Sequence, residues 1–212
     1  MRVTEYMQPF LLPDSVLLIF CKAPIAGLVK TRLQPALTAE QAADAHRRLT
    51  LMTLKRAFEL PLCPVVLCCA PDGDHPFFRQ CAKDFPLTLA AQRGNDLGER
   101  MYNAFAEALT RYRHAVLMGC DCPSLTAEDL RDAFEALKNR GDAVVAPAED
   151  GGYVLMGLNA AQRCLFNDMA WGGAEVMAET RRRAERGGIA MHELAPQWDV
   201  DTLADWQRYL NS

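Results

Sequence analysis

The run Ser15 to Cys21 (SVLLIFC) is almost wholly apolar. A strand with one wet face alternates apolar and polar residues, so an unbroken apolar run belongs to a strand covered on both faces, as in a parallel sheet between helical layers. A chain containing such a strand must also supply the helices that cover it.

The rest of the sequence does so in alternation. Thr38 and Gln41 form a capping box, and Ala42, Ala45, Leu49 and Met52 repeat at helical spacing behind it. Pro64 opens a second strand over Val65 to Ala70, a short helix is predicted over 75–83, and Leu87 to Ala91 reads as a third strand. Asp96 and Glu99 cap a helix whose buried stripe is Met101, Phe105, Ala108 and Tyr112. His114 to Gly119 is the fourth strand. Thr126 and Asp129 cap a helix with Leu130, Phe134 and Leu137 inward, and Gly141 stands at the expected helix stop. Ala143 to Pro147, Tyr153 to Leu158 and Ile189 to Leu194 read as strands, with helical patterns at 173–186 and 202–210. This order predicts an α/β fold with a mostly parallel central sheet. With 212 residues, one domain over 15–212 is expected, preceded by a lead-in segment over 1–14.

Charge narrows the partners. With 23 Lys and Arg against 27 Asp and Glu, the chain has no general attraction for nucleic acid or anionic lipid, so a phosphate site has to be local. No segment is apolar enough to span a bilayer, and Glu5, Pro9, Pro13 and Asp14 interrupt a signal-peptide core. The eight cysteines show no C-x-x-C pairing and lie mostly in or beside apolar runs, which reads as reduced, buried thiols in a cytoplasmic protein. The sequence carries no sign of oligomeric state.

In parallel sheets ligands bind beyond the carboxyl ends of the strands. The loop after the first strand holds Lys22, Gly27, Lys30 and Arg32, three cations and a glycine that allows close backbone approach, a combination suited to a polyphosphate. A solvated basic turn accounts for the same residues, and a P-loop is a weak rival because its pattern is absent: Val29, not glycine, precedes Lys30. Asp121 follows the fourth strand, where a carboxylate can join substrate phosphates on Mg²⁺ or Mn²⁺, or can make an Asx-turn. In Asp150-Gly151-Gly152-Tyr153 the paired glycines let a substrate touch backbone, and Asp150 can take a proton from an acceptor hydroxyl; a β-turn between strands has the same signature. Asp199 and Asp201 are candidates for a second metal carboxylate, beside Thr202 and Asp205 as a helix start.

Five ordered stretches, FCKAPIAGLVKTRL (20–33), QRGNDLGERM (92–101), MGCDCPSL (118–125), PAEDGGYVLMGL (147–158) and WDVDT with Asp205-Trp206, resemble the bacterial GT-A-like family described as radical-SAM/selenodomain-associated transferases of type 1, some members of which are labelled arsenosugar-biosynthesis glycosyltransferases. The likeness runs from about Leu17 to Trp206. Gly172-Gly173 follow Trp171 where members usually carry Gly-Thr, so no hydroxyl stands there. The family is similar to sugar-phosphate nucleotidyltransferases and to the phospholactate and molybdenum-cofactor guanylyltransferases.

The resemblance implies a three-layer α/β/α sandwich of the nucleotide-diphospho-sugar transferase type. It implies Gly27, Lys30 and Arg32 as phosphate ligands, with Lys30 also catalytic, and Gln92 and Gly94 near the nucleoside. Asp121 becomes a metal ligand and Asp201 a second, for Mg²⁺ or Mn²⁺. The acceptor is expected by Asp150, Gly151, Gly152, Tyr153 and Trp171. The expected activity is glycosyl transfer from a nucleotide sugar to a small-molecule acceptor. The alternative is nucleotidyl transfer from a nucleoside triphosphate to a phosphorylated acceptor with release of pyrophosphate, which the Lys30-Thr31-Arg32-Leu33 run also suits. A non-catalytic nucleotide sensor on the same frame is a third reading.

Overall fold

In the computed structural model, which describes residues 10–34 and 36–212, the apolar first run forms β1 (Ser15–Lys22) inside a seven-stranded sheet. The other strands are β2 (Val65–Ala70), β3 (Thr88–Ala91), β4 (His114–Met118), β5 (Ala143–Pro147), β6 (Tyr153–Leu158) and β7 (Met191–Glu193), in the order β3-β2-β1-β4-β6-β5-β7. Neighbours run parallel except at β6, which is antiparallel to both β4 and β5. The two carboxyl-end loops that matter most, after β1 and β4, are therefore side by side.

Helices cover both faces: α1 (Ala39–Ala57), α2 (Pro76–Asp84), α3 (Leu97–Ala108), α4 (Ala127–Asn139), α5 (Val176–Arg186) and α6 (Leu203–Leu210). Alternation along β1 shows the layering. Leu17, Ile19 and Cys21 join the core with Leu54 of α1, Phe78 of α2 and Phe134 of α4. Val16 and Leu18 join the opposite core, with Phe105 of α3 and Met177 of α5. A third cluster, Leu33, Leu49, Val200 and Trp206, ties the first loop to α1 and to the segment entering α6.

The expected capping boxes close at Thr38 with Gln41, at Thr126 with Asp129 and at Thr202 with Asp205. Asp96 caps α3 by accepting from Glu99 N, but the Glu99 carboxylate accepts from Asn95 instead of closing the box. Gly141 follows the C-cap Arg140, where the helix stop is expected, but without a left-handed conformation. Its glycine character is explained by packing, since a Cβ there would stand 2.3 Å from the Ala190 carbonyl oxygen. Of the lead-in segment, residues 1–9 lie outside the described residues, while Leu11 and Leu12 donate backbone hydrogen bonds to Pro61 and Leu62. No helix among the described residues is long and apolar enough to cross a membrane.

Phe134 is fully buried where α4 meets the sheet. Truncating a buried aromatic costs its transfer energy plus a cavity, so Phe134→Ala should lower stability by about 3–5 kcal/mol, read from equilibrium urea unfolding. A loss below about 1 kcal/mol would show that the layer closes over the gap.

Candidate active site

The loop after β1 folds back over the carboxyl edge of the sheet. Gly27 takes φ +82°, a conformation glycine adopts without cost, and Lys30 takes φ 47°, one that a lysine adopts only under constraint. A short 3-10 turn over Thr31–Leu33 follows and buries Leu33.

The constraint on Lys30 is ionic. Its Nζ donates to Asp121 Oδ2 at 2.6 Å, to the Val200 carbonyl at 2.5 Å and to Asp201 Oδ1 at 3.2 Å. Arg32 Nη1 donates to Asp201 Oδ2 at 3.0 Å from a side chain that is 64% exposed, whereas the Lys30 side chain is 6% exposed. Burial opposes the Lys30 charge, but Asp121 and Asp201 outweigh it and hold the ammonium above its ordinary range. Burial likewise opposes ionisation of Asp121, and Lys30 overcomes it, so that carboxyl lies below its ordinary value.

The segment before α6 delivers the remaining carboxylates. Val200 N donates to the Asp121 carbonyl at 3.0 Å, and Trp198 N donates to Ser124 Oγ at 2.9 Å. This stitching sets oxygens of Asp121, Asp199 and Asp201 within 4.8 Å of one another. Three carboxylates form an oxygen-donor set of the kind that holds Mg²⁺ or Mn²⁺. Among the described residues, Asp199 is the member with no ion pair of its own. Burial, then Asp121, Asp201 and Asp150, push its carboxyl up to about 7, against a smaller opposing pull from Lys30.

A cleft of about 320 Å³ opens beside this cluster and is lined by Lys22, Lys30, Arg32, Gln92 and Asp121 among others. Lys22 is exposed at its rim. Gln92 Nε2 donates to the Cys68 carbonyl at 2.8 Å, which orients its side chain across the ends of β1 and β2. Gly94 takes φ +144° and lies close under α3, where a Cβ would stand 2.7 Å from Arg100 N. Leu28 and Leu97, 65% and 45% exposed, also line the cleft, and sequence reasoning did not single them out.

The residues expected near the acceptor form a second group. Asp150 Oδ1 accepts from Gly152 N at 2.9 Å, an Asx-turn, and its carboxylate is still close enough to raise Asp199. Gly151 takes φ +89°, and a Cβ there would stand 2.1 Å from the Ala174 carbonyl oxygen, so only glycine fits. Tyr153 and Trp171 meet edge to face with centroids 6.3 Å apart. Gly172 takes φ +82°, while a Cβ at Gly173 would meet only the Ala170 carbonyl, at 3.7 Å. These residues do not line the Lys30 cleft.

Seven of the eight cysteines are buried and Cys164 is exposed. Two of them, Cys21 and Cys120, meet His46 of α1 at the floor of the cleft. Within that pair Cys120 is held below the ordinary thiol value, chiefly by the hydrogen bond from Cys21, and Cys21 is raised by the same contact and by burial. His46 could have been found in the sequence, because it falls four residues after Ala42, on the inward side of α1.

The Asp199 shift has a consequence for stability. Its folded value of about 7 lies above the ordinary 3.8, so the fold favours the protonated carboxyl, and this contribution is lost as pH rises between those values. In metal-free protein the thermal midpoint of Asp199→Asn, relative to the parent, should therefore rise from pH 5 to pH 8, and Mn²⁺ should narrow the gap. A gap that stays constant across that range would mean that Asp199 ionises normally.

Comparison with known proteins gives this geometry its relatives. A solved structure from Desulfovibrio desulfuricans G20, provisionally named a nucleotide-diphospho-sugar transferase, is 33% identical, with 90% of this chain and 84% of that chain covered and a TM-score of 0.81. The CTP complex of CMP:2-keto-3-deoxy-manno-octonic acid synthetase is 12% identical over 92% of this chain and 96% of that one, with a TM-score of 0.58. A manganese complex from Mycobacterium tuberculosis H37Rv is 17% identical over 93% and 98%, with a TM-score of 0.54. The last two establish the fold alone, and the sheet is that of nucleotide-diphospho-sugar transferases and cytidylyltransferases. A comparison with curated proteins returns no match. Residues 53–173 match the model of the family described as "Uncharacterized protein conserved in bacteria" (DUF2064), and the chain belongs to that family.

Proposed function

We propose that this chain is a metal-dependent transferase that moves a glycosyl group from a nucleotide sugar to a small-molecule acceptor, with residues 15–212 acting as one cytoplasmic domain. The observation that carries this reading is the meeting of Lys30 with Asp121 and Asp201, beside Asp199, at the carboxyl edge of β1 and β4. Cations and carboxylates at one rim suit a diphosphate bridged by a metal ion.

Asp121 and Asp201 are assigned as the ligands of Mg²⁺ or Mn²⁺, with Asp199 as a third carboxylate; the all-oxygen donor set and the manganese bound by the mycobacterial neighbour support a divalent cation. When bound, the cation neutralises charge on the diphosphate. Lys30, Arg32 and Lys22 hold the phosphate oxygens, with Lys30 turning part of its charge from the carboxylates to the ligand. Gln92, Gly94 and the exposed faces of Leu28 and Leu97 flank the nucleoside. Asp150 takes the proton from the acceptor hydroxyl as that oxygen bonds the anomeric carbon, and the nucleoside diphosphate leaves with the glycosidic bonding pair. Gly151, Gly152, Tyr153 and Trp171 bound the acceptor.

Nucleotidyl transfer is the second reading. It is favoured by the Lys30-Thr31-Arg32-Leu33 run, whose cations face the cleft, and the CTP-bound neighbour shares the sheet. There the acceptor phosphate attacks the α-phosphorus and pyrophosphate leaves.

Two measurements test these assignments. Asp121→Ala should abolish Mn²⁺-dependent nucleotide binding in calorimetry; unchanged affinity and stoichiometry would remove Asp121 from the metal site. With a turned-over donor, a nucleoside diphosphate product identifies sugar transfer and pyrophosphate identifies the second reading. Under either chemistry Lys30→Ala should lower kcat by about 10²–10³, and turnover within a factor of a few of the parent would leave Lys30 a structural residue.

A further inference from the structure

Behind the carboxylates lies a cluster that the transfer chemistry does not use. Cys21 lies at the end of β1, Cys120 in the loop after β4, and His46 on α1. Cys21 and Cys120 each lie two residues beyond the last registered pair of their strands, Ile19 with Met118. All three side chains are buried, at 1%, 4% and 5% exposure, yet all three reach the floor of the cleft, so an ion can enter from the substrate side.

We propose that Cys21, His46 and Cys120 form a site for a thiophilic cation of the Zn²⁺ type, independent of the carboxylate site and of the transfer reaction assigned above. The Cys21 Sγ to His46 Nε2 separation is 3.7 Å, and one ligand atom from each of the three residues lies within 4.8 Å of the others. Tetrahedral zinc, with bonds of about 2.3 Å to sulfur and about 2.1 Å to nitrogen, sets such ligand atoms roughly 3.6 Å apart. The residues are therefore spaced for a small cation with little rearrangement. Two thiolates and a neutral imidazole balance the charge of a divalent ion, and the cleft that all three residues line can supply a fourth ligand from solvent. Carboxylates prefer hard cations and thiolates soft ones, so the two sites select different metals although Cys120 and Asp121 are adjacent.

Binding has a defined proton balance. Two thiol protons are released to solvent. His46 Nε2 donates to the Lys22 carbonyl at 2.9 Å, so it carries the ring proton; to bind metal the ring takes its proton on Nδ1 and frees Nε2. The Lys22 carbonyl then loses its donor.

Co²⁺ is the probe. Reduced, metal-free protein carrying Cys164→Ser, which removes the exposed thiol, is titrated with Co²⁺ under anaerobic conditions. The expected result is one equivalent with a thiolate-to-cobalt charge-transfer band and strong visible bands of tetrahedral cobalt, all displaced by Zn²⁺. Both features should be lost in Cys21→Ser and in Cys120→Ser and retained in Asp201→Asn, while His46→Ala should shift the visible bands and keep the charge transfer. Absence of thiolate bands in the reduced parent overturns the proposal whether or not any variant folds. So does a spectrum unchanged by both serine variants, and so does a Cys21–Cys120 disulfide whose reduction restores no Co²⁺ binding.

Discussion

The Lys30 ammonium joins three parts of the chain that are far apart in sequence. It binds Asp121 after β4 and Val200 and Asp201 before α6, and its backbone is held left-handed at φ 47°. A non-glycine residue in that region costs on the order of 1–3 kcal/mol, and withdrawing an ammonium from water costs several more. Three acceptors around one cation offset that cost, and they do so only if the first loop, the β4 loop and the late segment arrive together. The rim is consequently a product of tertiary assembly, with no single loop able to form it.

Pairing of this kind also leaves a rim that can respond to ligand. Lys30 and Arg32 satisfy Asp121 and Asp201, while Asp199 has no ion pair among the described residues and its carboxyl is pushed up to about 7. Arriving positive charge relieves Asp199, and arriving negative charge is met by Arg32, whose side chain is mostly exposed. The proposed binding of both a cation and an anion would need this balance, because unpaired charges of one sign at such density would repel each other before ligand came.

The sequence made most of the sheet legible, and the reason is local. β1 is apolar on both faces, and the boxes at Thr38, Thr126 and Thr202 mark helix starts by side-chain chemistry that neighbours can read. The direction of β6 was legible only in its connection: a strand buried on both faces has the same composition in either direction, but the short run from Pro147 to Tyr153, read as a possible β-turn between strands, returns antiparallel to β5. The 3-10 turn at Thr31–Leu33 is too short to leave a periodic pattern. Gly141 stands at the helix stop as expected, but its need for glycine comes from a distant carbonyl, that of Ala190, which no local pattern reports.

The same distinction governs the site. Lys30, Arg32, Asp121 and Asp201 were visible because the first two lie in the loop after the first strand, Asp121 follows the fourth and Asp201 precedes the last helix, and because the family resemblance implied their roles; the structure brings these four together. The Cys21, His46 and Cys120 cluster was not visible, because cysteine spacing reports ligands only when they lie on one short turn. Here three elements contribute one ligand apiece, brought together by the parallel pairing of β1 and β4 and by α1 packed across them. Residues 120 and 121 are consecutive, yet one belongs to a buried sulfur cluster and the other to the carboxylate rim. That placement follows from the strand end, where the chain leaves the core for the cleft and successive side chains meet different surroundings.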